Sequence, residues 1–223
     1  MGGVWVVVPA YNEASVIAET LAGIVPRYPV VVVDDGSSDA TIERARAAGA
    51  SIVAHPINLG QGAALATGIT YALRRSADFV ATFDADGQHD PASIGAMHEL
   101  LEATGADAAL GSRFLGSTVG MSASRRVLLK AAILFTRFHT KLPVTDTHNG
   151  LRMFRRSLAE RLRIRQRRMA HASEILSELA RLEANVVEVP TTITYSDYSR
   201  RKGQRFFDSI KVLVDLAYES LTV

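Results

Sequence analysis

Cysteine is absent from this sequence of 223 residues. Because no disulfide framework can form without it, and because an apolar segment begins almost at the first residue, the sequence predicts a cytoplasmic protein. A surplus of one charge is also absent, since 25 Lys and Arg residues face 23 Asp and Glu residues. The pI of about 9.0 leaves a weak basic balance that suits phosphate ligands or an anionic membrane surface. It is too weak to indicate a nucleic-acid-binding protein.

A hydrophobic run long enough to cross a bilayer is missing as well. The most apolar stretch of the second half, residues 127–138, is shorter than the about 20 residues that a spanning helix needs, and Lys130 and Arg137 interrupt it. Hydrophobic residues nevertheless make up 48% of the chain, which is enough to bury one large core. We therefore expect a single domain over residues 1–223. If it works at a membrane, we expect peripheral contact with the inner face of the plasma membrane.

Strand and helix patterns alternate through the first half of the chain. This alternation predicts an α/β fold with a mostly parallel central sheet flanked by helices. Residues 124–140 mix basic with apolar side chains and predict an amphipathic helix, which suits a membrane interface as well as packing on its own domain. The strand patterns cover residues 4–9, 30–33, 51–54, 79–83, 108–111, 151–154 and 186–195, and the other helix patterns residues 13–24, 40–48, 63–75, 91–103, 172–183 and 206–221.

Two carboxylates follow directly after the fourth strand pattern. Asp84 and Asp86 lie two residues apart, and Gln88 adds an amide oxygen two residues later. Because parallel strands deliver the residues after them to the carboxyl edge of the sheet, this spacing lets both acids reach one hard cation. We therefore predict a Mg²⁺ or Mn²⁺ site formed by these three side chains. Helix capping is the alternative, but Asp90 before Pro91 already suits that role.

Three strand ends converge in this interpretation and form a nucleotide pocket. Tyr11 can lie against a base or ribose, and Asp35 can accept a hydrogen bond from a base N–H or a sugar hydroxyl. Glu13 suits a ligand contact and a helix start equally well. Gly60 and Gly62 permit a close approach of the backbone to a ligand, although a tight turn explains them equally well. A cation there would neutralise a diphosphate and stabilise it as a leaving group.

These motifs and their order resemble the family 2 inverting glycosyltransferases with the GT-A fold. Within that family, the chain resembles the branch of dolichyl-phosphate mannose synthases and bacterial polyprenyl-phosphate glycosyltransferases. The resemblance covers nearly the whole chain and implies a Rossmann-like, mostly parallel sheet with a small antiparallel extension on the acceptor side. The segments that carry it are residues 9–13, 34–39, 84–89, 111–113, 146–154 and 200–204.

The resemblance also implies roles for particular parts of the chain. Residues 1–112 would bind a nucleotide-sugar of the GDP-mannose or UDP-glucose type, and residues 113–223 would bind the acceptor. Asp86, as a ligand of Mg²⁺ or Mn²⁺, and Arg113 would take part in catalysis. Together with Gly60 from the glycine loop, the candidate nucleotide-sugar residues are Pro9, Ala10, Tyr11, Glu13, Val33, Asp35, Asp84, Ala85 and Asp86.

The implied reaction is the metal-dependent transfer of a sugar to a polyprenyl phosphate, such as dolichyl or undecaprenyl phosphate, with inversion. The acceptor oxygen is already anionic near neutral pH, so that cations must position it and a base is not needed. The candidate cations are Arg113, Arg125, Arg126, Lys130 and Arg200.

An alternative keeps the fold and the donor but transfers the sugar to a saccharide hydroxyl, as in polysaccharide or cell-envelope synthesis. A hydroxyl acceptor needs a carboxylate base within hydrogen-bond reach. Asp146 is the first candidate base and Glu174 the second, while an Asx turn is the structural alternative for Asp146. A nucleotidyltransferase is a remote alternative, because it normally has a Gly-rich loop with a basic residue where this chain has residues 9–13.

Overall fold

The computed structural model of the chain describes residues 3–166 and 170–195. Within these residues, the strands form one seven-stranded sheet in the order β3-β2-β1-β4-β6-β5-β7. The strands are β1 (Val4–Ala10), β2 (Val30–Asp34), β3 (Ser51–Ala54), β4 (Phe79–Thr82), β5 (Ala108–Val119), β6 (Arg152–Arg155) and β7 (Val186–Thr194).

Helices connect these strands and flank the sheet. The described helices are α1 (Ile17–Ala22), α2 (Thr41–Ala47), α3 (Gln61–Arg74), α4 (Ala92–Thr104), α5 (Ala123–Thr140), α6 (Arg156–Ala159) and α7 (His171–Arg181).

The pairing of the strands confirms the predicted α/β fold with a mostly parallel sheet. β1 pairs in parallel with β2 and β4, and β2 pairs in parallel with β3. β6 then runs antiparallel to both β4 and β5, and β7 pairs in parallel with β5. The antiparallel strand β6 therefore lies inside the sheet, between β4 and β5.

Apolar clusters cover both faces of the sheet, which explains why the first strands are almost entirely valine. Val6 and Val8 of β1 and Val32 of β2 pack in one cluster with α1 and α4. Val7 of β1 and Val33 of β2 pack in the other cluster with α3 and α7. Strands β1, β2 and β4 are consequently buried on both faces along almost their whole length.

The largest difference from the predicted elements is β5, which continues to Val119 instead of ending near residue 111. Its second part pairs with β7 after an irregularity between Ser112 and Ser117, and most of it is exposed. The apolar pattern could not indicate this part because an exposed strand buries few side chains. The four-residue α6 was missed for lack of length, and α1 is shorter than predicted. The predicted helix at 206–221 lies outside the described residues.

The basic helix predicted at 124–140 is confirmed as α5. Leu129 and Ile133 are buried, whereas Val127, Leu134 and Phe138 are exposed. None of the helices in the described part of the chain has the length and apolar character needed to cross a bilayer.

Gly68 marks the closest approach of α3 to the sheet. A Cβ at this position would lie 2.2 Å from Cγ1 of Val7 and 3.1 Å from Cγ2 of Val33. Gly95, also inside a helix, has Oη of Tyr28 as the nearest atom, at 3.5 Å. An added methyl group would therefore clash with the sheet at Gly68 but make only an ordinary contact at Gly95.

Replacing Gly68 by Ala should lower the free energy of unfolding by about 1–3 kcal/mol, because the added methyl group overpacks the contact between α3 and β1. Gly95→Ala is the matched control and should raise stability by up to about 1 kcal/mol, since Ala favours the helix. Urea denaturation measures both values. Equal stabilities of the two variants would contradict the close packing of α3.

Candidate active site

The carboxyl ends of β1, β2 and β4 meet at one edge of the sheet. The Asp35 N–H donates to the Ala10 carbonyl at 2.8 Å, and the Phe83 N–H donates to the Val7 carbonyl at 2.9 Å. The three segments that follow these strands are thereby brought together. This edge is where open α/β sheets bind ligands.

Asp84 lies just beyond the end of β4. Its Oδ1 accepts a hydrogen bond from Nε2 of Gln61 at 3.1 Å, and its Oδ2 lies 3.3 Å from Nε2 of His89. Burial acts to raise the pKa of Asp84, but His89, His171 and Arg152 lie near enough to leave that pKa below its usual value. Asp84 is therefore held as a carboxylate by surrounding nitrogen donors.

Asp86 has the opposite electrostatic environment. Burial, followed by the charge of Asp84, raises the pKa of Asp86 to about 6, and Glu13 adds to the effect. Its oxygens accept hydrogen bonds from Gln88, through the backbone N–H at 3.2 Å and through Nε2 at 2.5 Å. Burial and the negative charge of Asp84 thus make the Asp86 carboxyl group harder to ionise.

The arrangement fits a hard divalent cation. Within the described residues, neither Asp84 nor Asp86 forms an ion pair with a lysine or arginine. No group of three His, Asp or Glu side chains in that part of the chain forms a complete ligand set. A partial set of carboxylates is typical of Mg²⁺, which completes its coordination with water and phosphate oxygens.

A polar cavity of about 70 Å³ lies behind Asp84. Arg152 is buried beside it and donates to the carbonyls of Asn149, Thr147 and Ala172, at 3.1–3.3 Å. Its Nη1 is also buried and has no hydrogen-bond partner among the described residues. The cavity is lined by Gln61, Leu65, Thr82, Asp84, His148, Asn149, Gly150, Arg152, His171, Ala172 and Ile175.

Burial controls the charge of the groups around this cavity. It lowers the pKa of His148 to about 4, with Arg113 and Arg152 acting in the same direction, so this imidazole is neutral near pH 7. It also lowers the pKa of Arg152 to about 10, against the attraction of Asp84. Arg152 therefore remains charged while its Nη1 stays available to a polar group in the cavity.

Arg113 and Asp146 form a buried ion pair. Nε of Arg113 donates to Oδ2 of Asp146 at 2.6 Å, Nη1 donates to the Tyr195 hydroxyl at 2.8 Å, and Nη2 donates to the His148 carbonyl at 2.7 Å. Although burial disfavours its charge, Asp146 and Tyr195 raise the pKa of Arg113. Oδ1 of Asp146 accepts the His148 N–H at 3.2 Å, which is the predicted Asx-type contact.

Arg125, in the first turn of α5, contacts Tyr195, the residue whose hydroxyl Arg113 also binds. Its guanidinium stacks over the Tyr195 ring, with 4.4 Å between its central carbon and the ring centroid. Burial and the charge of Arg113 lower its pKa, whereas Asp86 is close enough to raise it. The structure therefore brings Arg125 near the acidic pair. Arg126 and Lys130 are exposed on α5, and Arg200 lies outside the described residues.

The candidate nucleotide residues lie along the same edge. Glu13 is buried, and the N–H groups of Val16 and Ile17 donate to its carbonyl, so it also begins the turn before α1. Tyr11 is 43% exposed, which leaves its ring accessible. Pro9, Ala10, Val33, Asp35, Gly60 and Ala85 are buried around it at the ends of β1, β2 and β4 and at the start of α3.

Several residues of this site were missed from the sequence. Gln61, Arg152, His171 and Tyr195 are distant in the sequence from the acidic motif, and single residues of these types carry no pattern. His89 adjoins the motif, and its position was the one available signal.

Glu174, the second candidate base, does not line the cavity; its carboxylate accepts the N–H groups of residues 165 and 166 at 2.8–3.0 Å.

The fold and the site together define an α/β protein with a pair of acidic side chains at the edge of its sheet, where open α/β folds bind ligands. The sequence profile described as "Glycosyl transferase family 2" matches residues 5–163. The chain therefore belongs to glycosyl transferase family 2 and is a glycosyltransferase, which confirms the resemblance noted from its motifs.

Named relatives and a solved structure are consistent with this family. The chain is 30% identical to an undecaprenyl-phosphate mannosyltransferase of Micrococcus luteus, over 88% of this chain and 85% of the relative. It is 27% identical to a UDP-N-acetylglucosamine–dolichyl-phosphate N-acetylglucosaminyltransferase of Methanococcus voltae, over 96% and 94%. It also resembles glucosyl-3-phosphoglycerate synthase of Mycobacterium tuberculosis in complex with Mn²⁺, UDP and phosphoglyceric acid, with a TM-score of 0.65, 25% identity and coverage of 85% and 68%.

Gly150 packs directly against the acidic pair, because a Cβ at this position would lie 2.0 Å from Oδ2 of Asp84. Gly150→Ala should therefore displace the Asp84 carboxylate and weaken Mn²⁺ binding by about tenfold or more, since a shift near 1 Å is costly in such a site. Titration calorimetry with Mn²⁺ measures the loss, and Gly95→Ala serves as the control. Unchanged Mn²⁺ affinity in Gly150→Ala would show that Asp84 is not a ligand.

Proposed function

We propose that this glycosyltransferase moves a sugar from a nucleoside diphosphate donor to the phosphate of a polyprenyl phosphate, with a divalent cation and with inversion. The observation that carries the proposal is the position of Arg125, which lies near Asp86 and beside the Arg113–Asp146 pair. A cation on this side of the acidic pair suits an acceptor that arrives as an anion.

The donor end of the site rests on the acidic motif. Asp84, Asp86 and Gln88 would hold Mg²⁺ or Mn²⁺, which supplies charge stabilisation to the departing diphosphate when bound. The motif itself is anchored to the acceptor half, because the Thr194 N–H donates to the Gln88 carbonyl at 3.0 Å. The remaining candidate contacts of the nucleotide-sugar are Pro9, Ala10, Tyr11, Glu13, Val33, Asp35, Gly60 and Ala85.

We assign the sugar of the donor to the mouth of the polar cavity behind Asp84. Its lining mixes hydrogen-bond donors and acceptors with a few apolar side chains, which suits the hydroxyl groups and the ring of a hexose. Arg152 offers its buried Nη1 there, and neutral His148 offers an imidazole. These groups orient the sugar without adding a second negative charge beside Asp84.

The acceptor phosphate would then bind between Arg125 and Arg113. Three of the five N–H groups of Arg113 are used by Asp146, Tyr195 and His148, so two remain for a phosphate oxygen. The phosphate oxygen is anionic near neutral pH and attacks the anomeric carbon from the face opposite the nucleotide. The chain's role at this step is to orient the two reactants, because no proton has to be removed from the acceptor.

The saccharide-acceptor alternative is less well supported, because both candidate bases are engaged elsewhere. The Asp146 carboxylate is buried and paired with Arg113, and the Glu174 carboxylate binds backbone N–H groups away from the cavity. Membership in a glycosyl transferase family likewise leaves no support for the nucleotidyltransferase alternative. We therefore assign Asp146 to positioning Arg113 in catalysis.

A polyprenyl acceptor requires contact with a membrane surface, and we propose that α5 provides it. Val127, Leu134 and Phe138 are exposed on this helix, next to the exposed cations Arg126 and Lys130. This combination is typical of helices that lie at a lipid interface. Residues 1–112 would then bind the donor at the inner face of the plasma membrane, and residues 113–223 would bind the acceptor.

Asp86→Ala should reduce transfer by about a hundredfold or more and abolish Mn²⁺-dependent donor binding, because it removes a proposed cation ligand. The fold should remain, since Asp86 lies in a turn beyond β4. Asp90→Ala is the matched control: Asp90 caps α4 through the Ala92 N–H at 2.9 Å, and its loss should cost about 1 kcal/mol of stability without affecting the donor. Full activity of Asp86→Ala would refute the metal role.

Product analysis should show a lipid-linked sugar when the chain is given undecaprenyl phosphate, Mn²⁺ and nucleotide-sugars, and no transfer to oligosaccharides. Arg125→Ala should raise the KM for undecaprenyl phosphate by about tenfold while leaving the donor KM unchanged, because a half-buried cation proposed to face the acceptor phosphate is lost. Arg74→Ala, at the exposed end of α3, is the control. Donor consumption without any lipid-linked product would overturn the proposed acceptor.

A further inference from the structure

The carboxylate of Asp35 is buried at the end of β2 and is 3% exposed. Its Oδ1 lies 2.7 Å from Nδ1 of His55 and accepts the Leu59 N–H at 2.9 Å. Its Oδ2 accepts the Gly60 N–H at 2.7 Å. Three donors from the loop before α3 therefore fix this carboxylate in position and orientation.

A count of lone pairs shows what Asp35 can still accept. A carboxylate has about two acceptor positions on each oxygen. His55 and Leu59 fill both positions on Oδ1, and Gly60 fills one of the two on Oδ2, among the described residues. One acceptor position, on Oδ2, is left for a ligand.

His55 is itself held at both ring nitrogens. Nδ1 faces the Asp35 carboxylate, which can only accept, so Nδ1 carries the proton in this hydrogen-bond network. Nε2 lies 3.0 Å from Oγ1 of Thr67 in α3, and in the neutral ring it accepts from that hydroxyl. Asp35 therefore sets the tautomer of His55, and Asp35 and Thr67 together fix the plane of its ring.

The nucleobases differ in what they offer to such an acceptor. Guanine presents two adjacent N–H donors, which a carboxylate binds through two acceptor positions side by side. Uracil presents a single ring N–H between two carbonyl groups. Because Oδ1 of Asp35 is already filled, the bidentate contact with guanine is blocked while a single N–H can still be accepted.

We propose that the donor is a uridine diphosphate sugar, and that His55 is a positioning residue that sets this preference by occupying Oδ1 of Asp35. The inference rests on the proposed function, because it takes Asp35 to face the base of the donor. Tyr11 lies beside Asp35, because the Asp35 N–H donates to the carbonyl of the preceding residue, Ala10. Tyr11 is exposed, and its ring can pack on the planar base. His55 does not contact the donor and acts through Asp35.

Calorimetric titration of the full chain with UDP, GDP, CDP and ADP in the presence of Mn²⁺ tests the base preference. UDP should bind at least about tenfold more tightly than GDP, because a buried site loses affinity when a donor is left unpaired. GDP binding as tightly as UDP, or any other base binding more tightly than UDP, would overturn the inference and leave the proposed function standing. Failure of all four nucleotides to bind would overturn both.

Variants of His55 separate positioning from a merely structural role. His55→Leu frees an acceptor on Oδ1 and should lower the ratio of UDP to GDP affinity about tenfold, whereas His55→Asn should preserve it because its amide can donate to Asp35. A general structural defect would weaken both nucleotides equally and leave the ratio unchanged, which would refute the assignment.

A second pair of variants covers the case in which His55→Leu does not fold. Thr67→Val removes the hydroxyl that holds the plane of the His55 ring and should lower the same ratio about threefold. Thr67→Ser keeps the hydroxyl and should behave as the parent chain. Identical ratios in the Val and Ser variants would overturn the assignment of a fixed His55 ring as the cause of the preference.

Discussion

The repulsion between two carboxylates at the end of β4 is the constraint on which the rest of the site depends. Asp84 is surrounded by the donors and cations that favour its charge, namely Gln61, His89 and Arg152. Asp86 is buried next to that charge, which raises its pKa to about 6. The protein thus stabilises the negative charge of Asp84 and disfavours the negative charge of Asp86. An external cation would relieve this imbalance, which is the electrostatic basis of the metal site that we propose.

Buried arginines organise the opposite wall of the site. Arg152 ties together the carbonyls of Thr147, Asn149 and Ala172, and thereby joins the segment before β6 to the start of α7. Arg113 does the same for Asp146 and Tyr195. A buried guanidinium needs several hydrogen-bond acceptors to remain charged. The contacts of Arg152 and Arg113 supply these acceptors and also hold the contacted backbone in place. The wall opposite the acidic pair is consequently held together by buried hydrogen bonds.

The sequence predicted most of the fold because the relevant signals are local. The valine strands, the glycine and proline stops and the amphipathic helices were identified near their true bounds, and the order of strands and helices indicated an α/β sheet. The exposed part of β5 and the short α6 were missed, since neither buries enough apolar surface to leave a pattern. The acids of the site were also identified, because Asp84 and Asp86 adjoin a strand. Gln61, Arg152 and Tyr195 were not, because only long-range packing brings them there.

The sequence by itself determined the class of fold and the position of the acidic motif, since both depend on periodicity and spacing along the chain, while the family followed from the resemblance of its motifs. The tertiary structure decided how each charge is used. It paired Asp146 with Arg113, placed Arg125 near Asp86, and filled three acceptor positions of Asp35 with His55, Leu59 and Gly60. The physical reason is that the state of a carboxylate depends on burial and on neighbours within a few ångströms, and folding sets both.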